Sequence, residues 1–214
     1  VDLIPTATRP ATPTPTATLT PTNTPPPGSG TPGDLDTVCL DAEADAYVSQ
    51  TSPDTNTGVG KTLQLYHDEG EQTAIYIKFD VSSIPAGSQL QSATVELYLT
   101  GLQPSTTPPI SEISAVSRAW TENRVTYSNR PPGVGKIDAP VLDTTVGFKQ
   151  WDILPRVQDW VAGRGRNDGL VIEAANALPA QPMRANFVSR EGNTVAQRPR
   201  LCVTFRSPTS TPGR

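Results

Sequence analysis

Asp41, Glu43 and Asp45 alternate along one short segment, so in an extended strand their carboxylates share a face, and Asp54 and Asn56 follow in a loop. Side-chain oxygens grouped in this way form a donor set suited to calcium, a hard cation held by carboxylate and carbonyl oxygens. A solvated acidic edge that discourages strand pairing uses the same residues, and no EF-hand spacing is present. Calcium is the one cofactor this sequence suggests. Glu122 and Glu191 are of the type that serves as acid and base in glycoside cleavage, but nothing in their spacing places them together. His67, the single histidine, has no partner cluster and reads as a surface or turn residue. The glycine-rich stretches TGVGK (57–61) and GVGK (133–136) lack both the full phosphate-loop spacing and a following helix, so both read as turns. One histidine and two cysteines exclude a zinc finger, a histidine-rich metal centre and a cysteine redox motif. No catalytic centre is expected.

The aromatic residues are the other chemical resource. Trp120, Trp151 and Trp160 are of a kind that stacks on sugar rings, but Trp160 falls on the apolar face of a short helical segment, where core packing is expected. Tyr66, Tyr76 and Tyr98 sit in strand-like sequence and are the looser candidates for a sugar-facing surface, with ordinary cross-strand pairing as the alternative.

The elements that must hold these residues are short and mostly extended. TLQLYH (62–67), TAIYIKFDV (73–81), ATVELYL (93–99), EISAVS (112–117), LVIEA (170–174), ANFVS (185–189) and RLCVTF (200–205) read as strands between breakers such as PDTNTGVG (53–60) and NRPPGVG (129–135). Ile75, Ile77 and Phe79 share one face against Tyr76 and Lys78, and Val95, Leu97 and Leu99 share one against Glu96 and Tyr98. A period of two marks half-buried antiparallel strands with one solvated face. In WDILPRVQDWVAGRG (151–165), Leu154, Val157, Trp160 and Val161 fall at helical spacing. Asp152 is the expected N-cap, Pro155 fits the first turn, and Gly163 or Gly165 ends it. The expectation is an all-β, two-sheet antiparallel jelly-roll sandwich with one short helix.

The 214 residues are not uniform. Residues 1–32 hold ten threonines and nine prolines with two charges, Asp2 and Arg9. Such a tract is extended and polyproline-like, and Thr/Pro-rich stretches are typical of O-glycosylated stalks; Thr12, Thr14, Thr16, Thr18, Thr20 and Thr22 are the candidate acceptors. The division expected is an arm or stalk over 1–37, a domain over 38–206 and a short Ser/Thr/Pro tail over 207–214. The start at Val1, without an initiator methionine, fits a removed signal peptide or a fragment of something longer. Cys39 and Cys202 lie near the two ends of the domain and are expected to form a disulfide if the first and last strands are neighbours. No run approaches the roughly 20 apolar residues of a membrane span, and a net charge of −4 argues against nucleic acid as a partner.

From about 38 to 206 the chain resembles the DNRLRE-domain family of large bacterial and archaeal surface proteins, and a related family of carbohydrate-binding modules appended to alginate-degrading enzymes. The elements that carry the likeness are ADAYV (44–48), PDTNTG (53–58), YIKFDVSSIPAGSQLQSATVELY (76–98), AWTENRVTYSNRP (119–131), WDILPRVQDWVAG (151–163), NDGL (167–170), and FVSRE (187–191) with RPRLCV (198–203). The hexapeptide that names the first family is absent, and no residue set stands out as a sugar site. The resemblance implies a β-sandwich in a secreted or cell-surface setting. Two functions follow. The first is a non-catalytic subunit of an extracellular filament, in which Val1, Leu3 and Ile4 at the tip of the arm dock on another copy to give a homopolymer. The alternative is a carbohydrate-binding or adhesion module of a larger secreted protein, with glycans as its partners.

Overall fold

The computed structural model describes residues 34–68, 70–103, 109–175 and 183–208. Residues 1–33 of the expected arm, with Val1, Leu3, Ile4 and the candidate threonines, lie outside the described residues. Ten strands and one short helix follow in order: β1 (Leu35–Ser49), β2 (Thr62–Asp68), β3 (Glu71–Phe79), β4 (Gln89–Gln103), β5 (Ser111–Val116), β6 (Gly133–Asp138), β7 (Gly147–Asp152), α1 (Leu154–Val161), β8 (Leu170–Ala174), β9 (Met183–Val188) and β10 (Arg200–Arg206). Every ladder is antiparallel.

The fold is all-β with one short helix, but the strands do not separate into two independent sheets. The ladders close a six-stranded ring, β1–β10–β4–β9–β2–β3 and back to β1, with β8, β5 and β6 continuing outward from β3 and β7 paired to β4. The cause is strand length. Residues 35–41 of β1 pair with β10 while 42–49 pair with β3, across a register irregularity between Ala42 and Ala44. Likewise β4 pairs with β10 over 89–96 and with β9 over 99–103. A strand of fifteen residues that serves two neighbours in turn ties together what shorter strands would leave as two sheets.

The period-two pattern sets the inner face. Ile75, Ile77 and Phe79 of β3 join Val95, Leu97 and Leu99 of β4, with Trp151, Phe187 and Phe205, in one large buried cluster. The same period puts Ala74 and Tyr76 on the opposite face of β3, where water was expected. That face is instead covered. Residues 117–132 cross it and build a second cluster of Ala46, Val48, Ala74, Tyr76, Val116, Val125 and Val171, with Trp120 and Tyr127 packed against it. Tyr76 is therefore 1% exposed and donates its hydroxyl to the Pro131 carbonyl at 2.6 Å.

The helix begins one residue later than the expected cap: Ile153 is the N-cap and makes no side-chain cap bond, while Asp152, just before it, accepts the backbone N–H of Leu154 at 2.9 Å. Pro155 sits in the first turn, and Gly163, at φ +66°, ends the helix with its N–H on the Trp160 carbonyl. Val157 and Trp160 are its buried residues, and the helix packs on β4. At one position the sequence signal was misread. The stretch 133–136, expected to be a turn, lies within the edge strand β6, which pairs irregularly with β5.

Gly169, in the turn before β8, has φ +92°, and a Cβ there would come within 2.7 Å of the Ile77 carbonyl and 3.2 Å of Trp120 Nε1. Both the backbone conformation and the space require glycine. Gly169→Ala is expected to cost about 3 kcal/mol, strain and overpacking together. Urea denaturation measures it, and a loss below about 1 kcal/mol would mean that the close approach is absent.

Candidate functional site

Three loops meet at one end of the ring. The 50–61 loop is tied to 117–132 by Asn56, whose amide donates to the carbonyls of Glu122 and Val125 at 2.7 and 2.8 Å, and by Ser128 N–H on the Pro53 carbonyl. The turn after β9 brings Arg190 and Glu191 to the same place. Glu122 there accepts the Asp45 N–H at 2.9 Å and binds the Arg190 guanidinium through both carboxylate oxygens, at 3.1 and 3.0 Å. Glu191 takes the same guanidinium at 3.0 Å. Asp45, 1% exposed, accepts the backbone N–H of Arg190 at 2.7 Å. Carboxylate oxygens of Asp45, Glu122 and Glu191 thus lie within 4.8 Å of one another. Burial pushes the Asp45 carboxyl up to about 8, helped by the charges of Glu191 and Glu122 and opposed by the Arg190 backbone bond and guanidinium. Three carboxylates around one guanidinium leave excess negative charge, and a proton on the most buried of them halves it.

Only one of the five oxygen donors expected for calcium reaches this group. Asp45 belongs to it. Asn56 points its amide nitrogen, not an oxygen, at the neighbouring loop. Glu43 is exposed and pairs with Lys78 at 3.4 Å, Asp41 stands opposite Arg200 on the β1–β10 ladder, and Asp54 is exposed in its loop. Conversely, Glu122 and Glu191, which sequence spacing could not connect, are brought together. Both hold the same arginine, so they act as ion-pair partners.

The second site is a cleft of about 260 Å³ on the face that 117–132 partly covers. Its floor is one row across three strands. Ala74 of β3 pairs with Glu173 of β8, and Glu173 pairs with Glu112 of β5. Outward-facing residues at these positions follow from the inward burial of Ile75, Ile172 and Ile113. One wall is Tyr127 and Arg130, with the Arg130 guanidinium carbon 3.4 Å from the Tyr127 ring centroid and its Nη1 donating to the Tyr127 carbonyl. The other wall is Tyr66 and His67 of β2 with Gln72. The Tyr66 hydroxyl donates to Asn186 Oδ1 at 2.9 Å. Although Glu173 is exposed, the protein around it desolvates its carboxyl and raises its pKa; Arg130 pulls it down and Glu112 pushes it further up. Flat aromatic and guanidinium surfaces beside carboxylate, amide and imidazole groups form a lining suited to a polyhydroxylated ligand.

Residues 36–205 match carbohydrate-binding module family 96. The chain belongs to that family. No curated protein matches it. Members of carbohydrate-binding module family 96 are non-catalytic, and a non-catalytic role is the one expected from the sequence. The match supports the sugar-binding half of the resemblance drawn from the sequence and favours the module over the filament subunit. Filament assembly finds no support in it.

Within the family 96 domain the aromatic candidates divide. Trp151, 0% exposed, donates its indole N–H to Ser111 Oγ at 3.0 Å, and Trp160 donates to the Arg166 carbonyl; both are core residues. Trp120 lies edge-on to Tyr76 with ring centroids 5.7 Å apart and bonds the Asp168 carbonyl. Tyr76, a surface candidate on sequence, is buried. Tyr98 packs edge-on against Phe148. Only Tyr66 of the three tyrosines lines the cleft, and His67, expected to be an isolated surface or turn residue, lies beside it on β2. Tyr127, Arg130, Glu112 and Glu173 were not singled out. Their signal was present for the two glutamates, which occupy the outward positions of strands already recognised.

The expected disulfide is formed. Cys39 and Cys202 face each other on the β1–β10 ladder, with Cα atoms 4.0 Å apart.

Proposed function

We propose that this domain is an extracellular, non-catalytic attachment module that binds a glycan chain in the cleft between Tyr66 and Arg130. The observation that carries the reading is Arg130 lying flat on Tyr127 at the wall of a cleft floored by Glu173 and Glu112, in a member of a carbohydrate-binding family. A guanidinium fixed in this way presents its remaining N–H groups to sugar hydroxyls with little rotamer entropy left to lose. The carboxylates accept from hydroxyls on the other side. Arg130 owes its place to its neighbour, since Pro131 is anchored by the buried Tyr76 hydroxyl.

Arg130→Ala is expected to weaken binding tenfold or more, about the value of one charge-assisted hydrogen bond. Affinity electrophoresis through gels carrying different polysaccharides, with the melting temperature as a check on folding, measures it. A folded variant that is retarded as strongly as the wild type would place the sugar elsewhere.

A further inference from the structure

Residues 129–131 form a ridge between two cavities. Arg130 lines the cleft already described, whereas its neighbours Asn129 and Pro131 line a second cavity of about 270 Å³, together with Trp120, Arg124 and Val125. The ridge is held from several sides. The buried Tyr76 hydroxyl binds the Pro131 carbonyl at 2.6 Å. The Asn129 amide donates to the Arg124 carbonyl at 2.8 Å and accepts the Thr126 N–H at 2.9 Å, and the Asn129 carbonyl takes the Arg118 guanidinium at 3.1 Å.

The second cavity offers the same two kinds of surface as the cleft, an aromatic ring and a guanidinium. Trp120 is fixed by its N–H on the Asp168 carbonyl at 2.9 Å and by its edge-on contact with Tyr76, and it is only half-buried, so part of the indole is left to the cavity. Arg124 has its backbone bonded in both directions, its N–H to the Thr121 carbonyl at 3.1 Å and its carbonyl to Asn129. Its side chain is exposed, and among the described residues none engages its guanidinium. A fixed backbone carrying free N–H donors is ready for the oxygens of a ligand. None of the described residues that line this cavity is acidic, in contrast to the floor of the cleft. Size links the two. At about 260 and 270 Å³, each cavity falls short of the roughly 300–1,000 Å³ of ordinary ligand sites, and the pair falls within it.

We propose that the Trp120–Arg124 cavity is a second sugar subsite, which takes a further unit of the glycan chain held in the cleft, so that one chain crosses the ridge at 129–131. This rests on the cleft being the glycan site. The second contact is then intramolecular, and affinity grows with chain length. Titration calorimetry of the whole chain tests it with oligouronates and with neutral gluco-oligosaccharides, each as short (about two units) and long (about eight units) oligomers. In a series that binds, the long oligomer should bind about tenfold tighter than the short one, with one oligomer per domain. Arg124→Ala should cut that gain to about threefold or less and leave the short oligomer within about twofold of the wild type. Its melting temperature should not change, since the side chain it removes has no partner. Arg164→Ala, which removes an exposed arginine beyond helix α1, should keep the full gain and so separates a local contact from loss of net charge. A length gain that survives Arg124→Ala, or two long oligomers bound per domain, would overturn the second subsite and leave the cleft standing. If neither series binds, polysaccharide gels decide: weaker retardation of Arg124→Ala than of the wild type supports the subsite, and equal retardation overturns it. The cleft falls as well only if Arg130→Ala is also indistinguishable from the wild type on every polysaccharide.

Discussion

Arg190→Met is expected to destabilise the domain by about 3 kcal/mol above pH 8 and by clearly less near pH 4. The guanidinium is the cation at the junction of three loops, bound by Glu122 and Glu191, with the nearly inaccessible Asp45 on the same residue's backbone N–H. Removing it leaves three carboxylates within 4.8 Å of one another and no positive charge among them. The pH dependence follows from Asp45. Its pKa is raised from an ordinary 3.8 to about 8 in the folded protein, so between those values the folded state holds a proton that the unfolded chain has released. The associated stability is complete below 3.8 and is lost as pH rises through about 8. Without Arg190 the folded state holds that proton more tightly, and the cost of ionising Asp45 grows. Asp45→Asn, which keeps an oxygen for the Arg190 N–H but cannot ionise, should flatten the dependence in the wild type and recover part of the loss in the Arg190→Met background. Denaturant unfolding of the four proteins at the two pH values decides it. An equal loss at both would show that the carboxylates are not coupled through this arginine.

The same junction shows where sequence reading ends. Strand existence was legible wherever residues alternated cleanly, as in AIYIKF and ATVELYL, because one face had to be apolar to reach the core. Helix α1 was legible because a first-turn proline, apolar residues at helical spacing and a terminal glycine marked it within a dozen residues. What local pattern could not show was which distant segments meet. Glu122 is 77 residues from Asp45, and Arg190 is 68 from Glu122; no periodicity links them. The covering of Tyr76 was hidden for a related reason. Alternation says that Tyr76 leaves the main core, and only the path of 117–132 decides that it enters a second one. The closed ring was equally out of reach, since it depends on β1 and β4 changing partners midway, and the sequence of β1 carries an alternating acidic face through the very point where the register shifts. The cleft inherits all of this: its floor and Tyr66 were implied by strand-like sequence, and the wall of Tyr127 and Arg130 by nothing short of the fold.

Breaking the disulfide should lower the free energy of unfolding by up to about 5 kcal/mol, the largest single effect expected in this domain. Cys39 and Cys202 are 163 residues apart, so the bond closes nearly the whole domain into one loop. In the folded state it adds little that the ladder lacks, because residues 35–41 and 200–206 are already paired along their length. Its effect falls on the unfolded chain, which without the bond gains the freedom to separate its ends. Cys39→Ser/Cys202→Ser should therefore show a lower midpoint in urea and also a steeper dependence on denaturant, since the unlinked chain exposes more surface when it unfolds. None of the cleft residues lies on the β1–β10 ladder, so glycan affinity at temperatures where the variant remains folded should match the wild type. A loss of stability under about 1 kcal/mol, or an unchanged denaturant slope, would contradict an action through the unfolded state. Holding the unfolded chain together is the physical reason to join the first strand to the last. The ring then cannot open at the one seam where its two ends meet, and the carboxylate floor and stacked arginine of the cleft are held on a frame that keeps its register.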